Sequence, residues 1–166
     1  MAEAHAWEAF YVMAGGAAAV LSGLVFVAVT LHVTPIIGNV LHRDRAWSSV
    51  AILASQLIIA MAVLVPAQPL WFLGVEILVI SVLWAIRTIR VTRELSSAMR
   101  RLNRPSVSWQ VEWPAWIGWV VALAGSGVAL VAENGEVGFP LLALAMVGMF
   151  SFAIWSAWVL VSEVSD

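Results

Sequence analysis

The feature that most constrains the fold is residues 70–103, where an apolar run continues directly into an arginine-rich segment. After Gly74 the stretch contains no Gly or Pro, so one uninterrupted helix can form through it. Six of the chain's eight basic residues lie between Arg87 and Arg104, and all eight are arginine. The apolar run before Arg87 approaches the roughly 20 residues that cross a bilayer. The stretch therefore predicts a membrane-spanning helix that continues into a basic amphipathic helix at one membrane surface.

Composition extends this prediction to the whole chain. Of the 166 residues, 63% are hydrophobic and 11% are charged, with a mean hydropathy of +0.97, which is more apolar surface than a soluble domain of this size can bury. We therefore expect an all-α fold, a polytopic bundle of five transmembrane helices in a single domain covering residues 1–166. The predicted spans are residues 10–33, 47–65, 70–86, 116–132 and 139–161.

The arginines also predict the orientation. The connection 34–46 holds two arginines and the connection 87–112 holds six, whereas the N-terminal tail and the turns 66–69 and 133–138 hold none. Basic connections lie on the cytoplasmic side of a membrane. The tail also lacks the basic start of a secretory signal peptide, so we expect the first span to be retained. The chain is thus predicted to lie in a bacterial cytoplasmic membrane, with its N-terminus outside and its C-terminus cytoplasmic.

Glu76 is an acidic residue well inside a predicted span. An ionised carboxylate is costly in hydrocarbon, so Glu76 should be protonated, paired or facing water. Counting along both helices from the turn at Ala67 places Gln56 within about one helical turn of the same depth, and Gln56 is the expected partner. Two interpretations stay open: an ion or proton site, or a hydrogen bond that joins two helices.

Two arginines share the helix face of Glu76. At about 100° of rotation per residue, Arg87 and Arg90 both lie within about 40° of the direction of Glu76. An outer acid and an inner charged mouth on one face are what a polar pathway needs. Glu76, Gln56, Arg87 and Arg90 are therefore candidates for an ion pathway.

The remaining arginines of this segment predict a contact with the membrane surface. On a helical wheel they lie opposite apolar residues such as Leu95 and Met99. Each arginine near an anionic lipid surface contributes on the order of 1 kcal/mol. The candidate residues for binding anionic lipid headgroups are Arg93, Arg100, Arg101 and Arg104. Since no base-stacking module accompanies them, we expect no nucleic-acid partner.

Two further patterns concern helix surfaces. Ten tryptophans, among them Trp84, lie mostly near predicted span ends, which is typical of an interfacial belt, and an aromatic binding box is the alternative. Small residues follow one face of span one and recur in span four, and such stripes permit close helix packing in lipid. The stripe residues are Gly15, Ala19, Ser22, Gly23, Phe26 and Thr30 in span one and Gly118, Ala122 and Ser126 in span four.

The residues present do not favour catalysis. With no Cys there is no thiolate nucleophile and no Cys metal site. Ser126 and His32 are predicted at opposite ends of their spans, too far apart in depth to form a nucleophile and base. His5 and Glu8 could share a helix face, but two ligands do not complete a zinc site. We therefore expect no enzyme activity, no cofactor and no metal.

Two classes of function remain. The first is a homo-oligomeric membrane channel or ion-conducting protein that uses the intramembrane acid Glu76. The second is a non-catalytic accessory or assembly subunit that docks a larger membrane protein through its small-residue helix faces. The lipid bilayer is a partner in both. Oligomeric state in mild detergent distinguishes them, because the first class requires a closed homo-oligomer.

Overall fold

The computed structural model describes residues 2–31, 40–102 and 107–164, with side chains described over residues 6–30, 46–90 and 117–158 and at Arg93. Over these residues the chain forms five α-helices and no strand. The helices are α1 (Ala2–Leu31), α2 (Val40–Val63), α3 (Leu70–Leu102), α4 (Val107–Val131) and α5 (Gly135–Val164). The prediction of an all-α fold is confirmed for the described residues.

Four of the helices are long and apolar enough to cross a membrane. Their apolar segments are Ala6–Thr30, Ala46–Val63, Leu70–Arg90 and Gly135–Trp158. Within its described side chains, α4 contributes a shorter apolar segment, Ile117–Val131. The four long segments support the prediction of an integral membrane protein.

The continuous helix expected from Leu70 onward is present. α3 runs without a break to Leu102, which is about 50 Å at 1.5 Å per residue. Its apolar segment ends at Arg90, so the helix continues for about three turns beyond the hydrocarbon-compatible part. Whether those turns are amphipathic stays a prediction, because apart from Arg93 their side chains lie outside the described residues.

The helices group into two compact units. The first unit comprises residues 1–67 and 146–166, with α1, α2 and the C-terminal part of α5. The second unit comprises residues 68–145, with α3, α4 and the N-terminal part of α5. That residues 1–166 form a single domain stays a prediction.

In the first unit, α1 packs against α2. A Cβ built on Gly15 would lie 2.9 Å from the Cβ of Ala60, so the two backbones approach closely there. Of the predicted stripe, Gly15 is buried, whereas Ala19, Gly23, Phe26 and Thr30 are exposed. Because α1 carries small residues on almost every side, their positions in the sequence could not predict which face packs against α2. The buried face consists of Tyr11, Ala14, Gly15, Ala18 and Val25, in which the adjacent pair Ala14 and Gly15 lies three and four positions after Tyr11, and Ala18 lies seven positions before Val25.

In the second unit, α3 and α4 are antiparallel neighbours, and two glycines bring them into backbone contact. A Cβ built on Gly74 would lie 2.5 Å from the amide nitrogen of Val131 and 2.8 Å from the carbonyl oxygen of Gly127. Further along, the rings of Trp84 and Trp119 meet with centroids 5.3 Å apart. Contacts with α4 therefore extend from Gly74 to Trp84, about half of the apolar segment of α3.

The short turn between α4 and α5 is closed by backbone hydrogen bonds. The amide of Asn134 donates to Ala129 at 2.9 Å and that of Glu133 donates to Leu130 at 3.0 Å, which is the Schellman pattern of a helix end. Glu133 takes the left-handed conformation, with φ 56°. The side-chain oxygen of Asn134 then accepts the amide of Val137 at 3.2 Å and caps α5.

The glycine contact predicts a strong positional effect. Gly74→Ala should lower the free energy of unfolding by about 1–3 kcal/mol, because the new methyl group overlaps backbone atoms that cannot move aside. Thermal unfolding in detergent measures the change. Gly118→Ala is the matched control on α4, since nothing lies within 4 Å of a Cβ there, and it should be neutral or slightly stabilising. Equal stability of the two variants would contradict the close approach of α3 and α4.

Candidate functional site

The turn before α3 places Gln68 beside the first turns of that helix. Ala67 takes a left-handed φ of 58°, and the carbonyl of Pro69 accepts the amides of Phe72 at 3.0 Å and Leu73 at 3.2 Å. Pro69 therefore starts the helix immediately after Gln68. The amide group of Gln68 extends along α3, and its Nε2 donates to Glu76 Oε2 at 2.7 Å.

The Gln68–Glu76 pair is partly buried, and its side chains contain more hydrogen-bond acceptor atoms than donor atoms. Glu76 lies in the apolar segment Leu70–Arg90, six residues after its start. The other side-chain atom of the amide, Gln68 Oε1, is buried and has no hydrogen-bond partner among the described residues. The pair thus contains one amide nitrogen and three oxygen atoms that can accept hydrogen bonds or bind a cation.

The structure gives Glu76 a hydrogen-bond partner that was not predicted, Gln68, while a partnership with Gln56, which lies in the first unit, stays a prediction. Gln56 is fully buried in α2, and its Nε2 donates to the carbonyl oxygen of Met146 at 2.9 Å within the first unit. Counting helix rise gave a depth for Gln56 and Glu76 but no direction around either helix. The same count treated Gln68 only as a turn residue. The side chains of Gln68 and Glu76, each about 5 Å long, can together bridge two turns of helix.

Hydroxyl groups in the helices bond to their own backbone. Ser55 donates to Ala51 and Thr88 donates to Trp84, each at 2.8 Å. Ser126 is fully buried, as its place in the span-four stripe suggests, and it donates to Leu123 at 2.8 Å. In each of these bonds the hydroxyl donates to a carbonyl of its own helix.

The opposite end of the apolar segment of α3 holds a cation and two aromatic rings. The guanidinium carbon of Arg87 lies 5.9 Å from the ring centroid of Trp84. Trp84 and Trp119 are both nearly fully buried and meet edge to face, with an interplanar angle of 79°. Trp84 was predicted to belong to the interfacial belt, and burial against Trp119 corrects that assignment. Its position near the span end could not reveal a partner on another helix.

The three candidate pathway residues on α3 are spread along the helix. Glu76 and Arg87 are separated by about 16 Å of helix. The residues between them on the same face are Ile80 and Leu83, and Leu83 is 62% exposed. Arg90 and Arg93 are exposed. The side chains of Arg100 and Arg101 and all of Arg104 lie outside the described residues, so their contact with headgroups stays a prediction.

Replacing Gln56 by Leu should change the free energy of unfolding by less than about 1 kcal/mol. The variant loses one interhelical hydrogen bond, worth about 0.6 kcal/mol on average in membranes, and also removes an amide oxygen that is buried without a partner among the described residues. Unfolding in detergent measures the change. Gln56→Ala is the control, because it opens a cavity and should cost about 2–3 kcal/mol. A similar loss for Gln56→Leu would mean that the amide oxygen has a partner.

Comparison of the chain with protein-family models, with curated proteins and with solved structures gives no match. A function for this protein therefore has to be inferred from its own side chains.

Proposed function

We propose that the protein is a homo-oligomeric, ion-conducting membrane protein in which Glu76 binds the transported proton or small cation. The observation that supports this most directly is the partly buried Gln68–Glu76 pair, with 2.7 Å between Gln68 Nε2 and Glu76 Oε2. Intramembrane carboxyl groups are costly to keep, and they commonly mark ion pathways and proton relays.

The chemistry of the pair suits a positive ligand. Gln68 Nε2 serves Glu76, while Gln68 Oε1 is buried without a partner among the described residues. A proton on Glu76 could be donated to Gln68 Oε1 once the amide rotates, and a small cation could instead be bound by the three oxygen atoms. Gln68 would then hold the carboxyl group in position and respond to whether its ligand is bound.

We place the ion path between copies of the chain. The described residues of one chain do not form a continuous polar line, because Ile80 and Leu83 separate Glu76 from Arg87 on the same face of α3. The hydroxyls of Ser55, Thr88 and Ser126 are used within their own helices. A path would therefore need the faces of α3 from neighbouring copies, which is why a homo-oligomer is part of the proposal.

The proposal includes five spans, with the N-terminus outside and the C-terminus in the cytoplasm of a bacterium. α4 is the span in question, because its described apolar segment is short. Its contacts with α3 run from Val131 at Gly74 to Trp119 at Trp84, so α4 lies alongside about half of the apolar segment of α3. The orientation follows from the basic connections, and we propose that Arg93, Arg100, Arg101 and Arg104 contact anionic headgroups on the inner side.

A non-catalytic accessory or assembly subunit is the second candidate. The observation that favours it is the outward face of α1, where Gly16 and Gly23 are exposed and nothing lies within 4 Å of a Cβ built on either. Small residues on an open helix face allow another transmembrane helix to pack closely. In this case Glu76 and Gln68 would only stabilise the start of α3, and a larger membrane protein would be the partner.

Single cysteines test the span count, since the chain contains no Cys that could react in the background. Asn134→Cys should react with a membrane-impermeant maleimide in intact cells, whereas Asp166→Cys should react only after permeabilisation. Four spans without α4 would reverse both results, because the last connection and the C-terminus would change sides. Ala67→Cys is the control, because it is external under either count.

Conduction is tested in liposomes that contain the purified protein. The wild type should carry protons, Na⁺ or K⁺, and Glu76→Gln should lower that flux at least about tenfold while leaving thermal stability nearly unchanged, because the amide keeps the size of the side chain. Gln68→Leu should lower the flux by a smaller factor, because the carboxyl group loses only the donor that positions it. Glu136→Gln is the control, since this exposed acid lies in the first turn of α5.

Two results would contradict the proposal. A wild-type protein that carries none of these ions would exclude conduction by Glu76. A flux that Glu76→Gln and Glu136→Gln lower equally would mean that Glu76 has no special role. If conduction is absent and Glu76→Leu lowers only stability, by about 0.5–2 kcal/mol, the accessory subunit is the better interpretation.

A further inference from the structure

The inner end of the α3–α4 pair contains a compact group of one cation and two rings, which we call the Arg87 cluster (Trp84, Arg87 and Trp119). The Trp84 ring is 5% exposed and the Trp119 ring 3% exposed, and the two rings meet at 5.3 Å. Arg87 lies against Trp84 at 5.9 Å from guanidinium carbon to ring centroid. A guanidinium held on an aromatic face that is itself fixed between two helices loses little further freedom when it binds an anion.

The cluster lies where a membrane surface is expected. The apolar segment of α3 ends at Arg90, three residues after Arg87. Arg87 is half-buried, whereas Arg90 and Arg93, on the next turns, are exposed. Residues three positions apart are neighbours on a helix surface, so Arg87 and Arg90 present adjacent guanidinium groups. The hydroxyl of Thr88, the residue after Arg87, donates to the carbonyl oxygen of Trp84.

An apolar surface leads directly to these arginines. Val79, Leu83 and Ile86 are 55%, 62% and 43% exposed, and they precede Arg87 on α3. At about 100° per residue, all three lie with Arg87 and Arg90 on a face about 100° wide. A ligand that fits this arrangement carries an anion at one end and a long apolar chain at the other. Planar guanidinium groups bind phosphate oxygens in pairs, so the preferred anion is a phosphate.

We propose that Arg87 and Arg90, supported by Trp84 and Trp119, form a discrete binding site for the phosphate of an anionic phospholipid, whose acyl chain lies along Val79, Leu83 and Ile86. Under this assignment Arg87 and Arg90 bind lipid and are not part of an ion pathway that includes Glu76. It differs from general attraction of a basic helix to a charged surface, because the fixed orientation of Arg87 matters as well as its charge. It does not require conduction and holds equally for an accessory subunit, although the acyl chain would compete with a neighbouring copy of α3 for the same face.

The test uses the full chain in detergent with added phosphatidylglycerol, phosphatidylcholine or inorganic phosphate, and bound molecules are counted by native mass spectrometry. The wild type should retain phosphatidylglycerol at least about tenfold more tightly than phosphatidylcholine, which carries no net charge. Arg90→Gln should remove most of that preference and should fold, because Arg90 is exposed. Arg45→Gln is the control, because it removes one arginine from the other basic connection of the chain, and it should keep most of the preference.

The variant Arg87→Lys distinguishes a site that depends on the geometry of the guanidinium group from one that depends only on positive charge. Lys keeps the positive charge but cannot offer a planar pair of donors, so it should lose several-fold in affinity for phosphatidylglycerol. If Arg87→Lys binds like the wild type, or if Arg90→Gln and Arg45→Gln lose affinity equally, the discrete site is excluded and only general attraction to the charged surface remains. If inorganic phosphate alone binds as tightly as phosphatidylglycerol, the ligand is a soluble phosphate and the lipid assignment is overturned.

Discussion

The close approach of α3 and α4 at Gly74 and Gly127 is the contact on which the second unit depends. In hydrocarbon, apolar side chains gain little by exchanging lipid for protein, so helix association relies on packing and polar contacts. Two glycines that face each other allow the peptide groups themselves to touch. The rest of the register follows from this contact. It brings Trp119 to Trp84, leaves Glu76 on the flank of the packed face, and requires α4 to extend along the apolar segment of α3.

The hydrocarbon surroundings also explain where polar side chains find their hydrogen-bond partners. A Ser or Thr hydroxyl can bond to the carbonyl one turn earlier in its own helix, and Ser55, Thr88 and Ser126 all do so. The longer side chains of Gln56, Gln68 and Glu76 bond to other partners. Gln56 bonds across to Met146, and Gln68 bonds along α3 to Glu76. Each glutamine keeps one buried oxygen without a partner among the described residues, so the amides rather than the hydroxyls are where a ligand would change the energy most.

The sequence was most informative where a single physical signal dominates. Apolar length predicted the helices, and the absence of Gly and Pro after Gly74 predicted that α3 would continue to about residue 103. Pairing between helices was harder to predict. The stripe in span one identified Gly15 but not Ala18 or Tyr11, because small residues surround α1 and only contact with α2 selects one face. Gly74 and Gly127 form the closest contact, yet neither was singled out, since a lone glycine in a span has many explanations.

The candidate sites show the same limit. Glu76 stands out in the sequence because an acid in an apolar run is rare, but its partner depends on a turn geometry that starts with the left-handed Ala67. A helical wheel placed Arg87 and Arg90 on the face of Glu76, which suggested a shared pathway. The wheel could not show that Trp119, on another helix, completes the surroundings of Arg87. Arg87 and Glu76 therefore have different surroundings, although they belong to one helix.

The two sites nevertheless share a surface. Val79, Leu83 and Ile86 form the exposed aliphatic face that leads to Arg87 and Arg90, and the same face borders Glu76. An acyl chain bound there would keep lipid beside Glu76, and a carboxyl group facing lipid must be neutral or held by Gln68. A second copy of α3 on that face would instead surround Glu76 with protein and allow water to enter between the copies. At any one height along α3 the face accommodates an acyl chain or a neighbouring helix but not both, so under the two proposals its occupant would determine whether Glu76 faces lipid or protein.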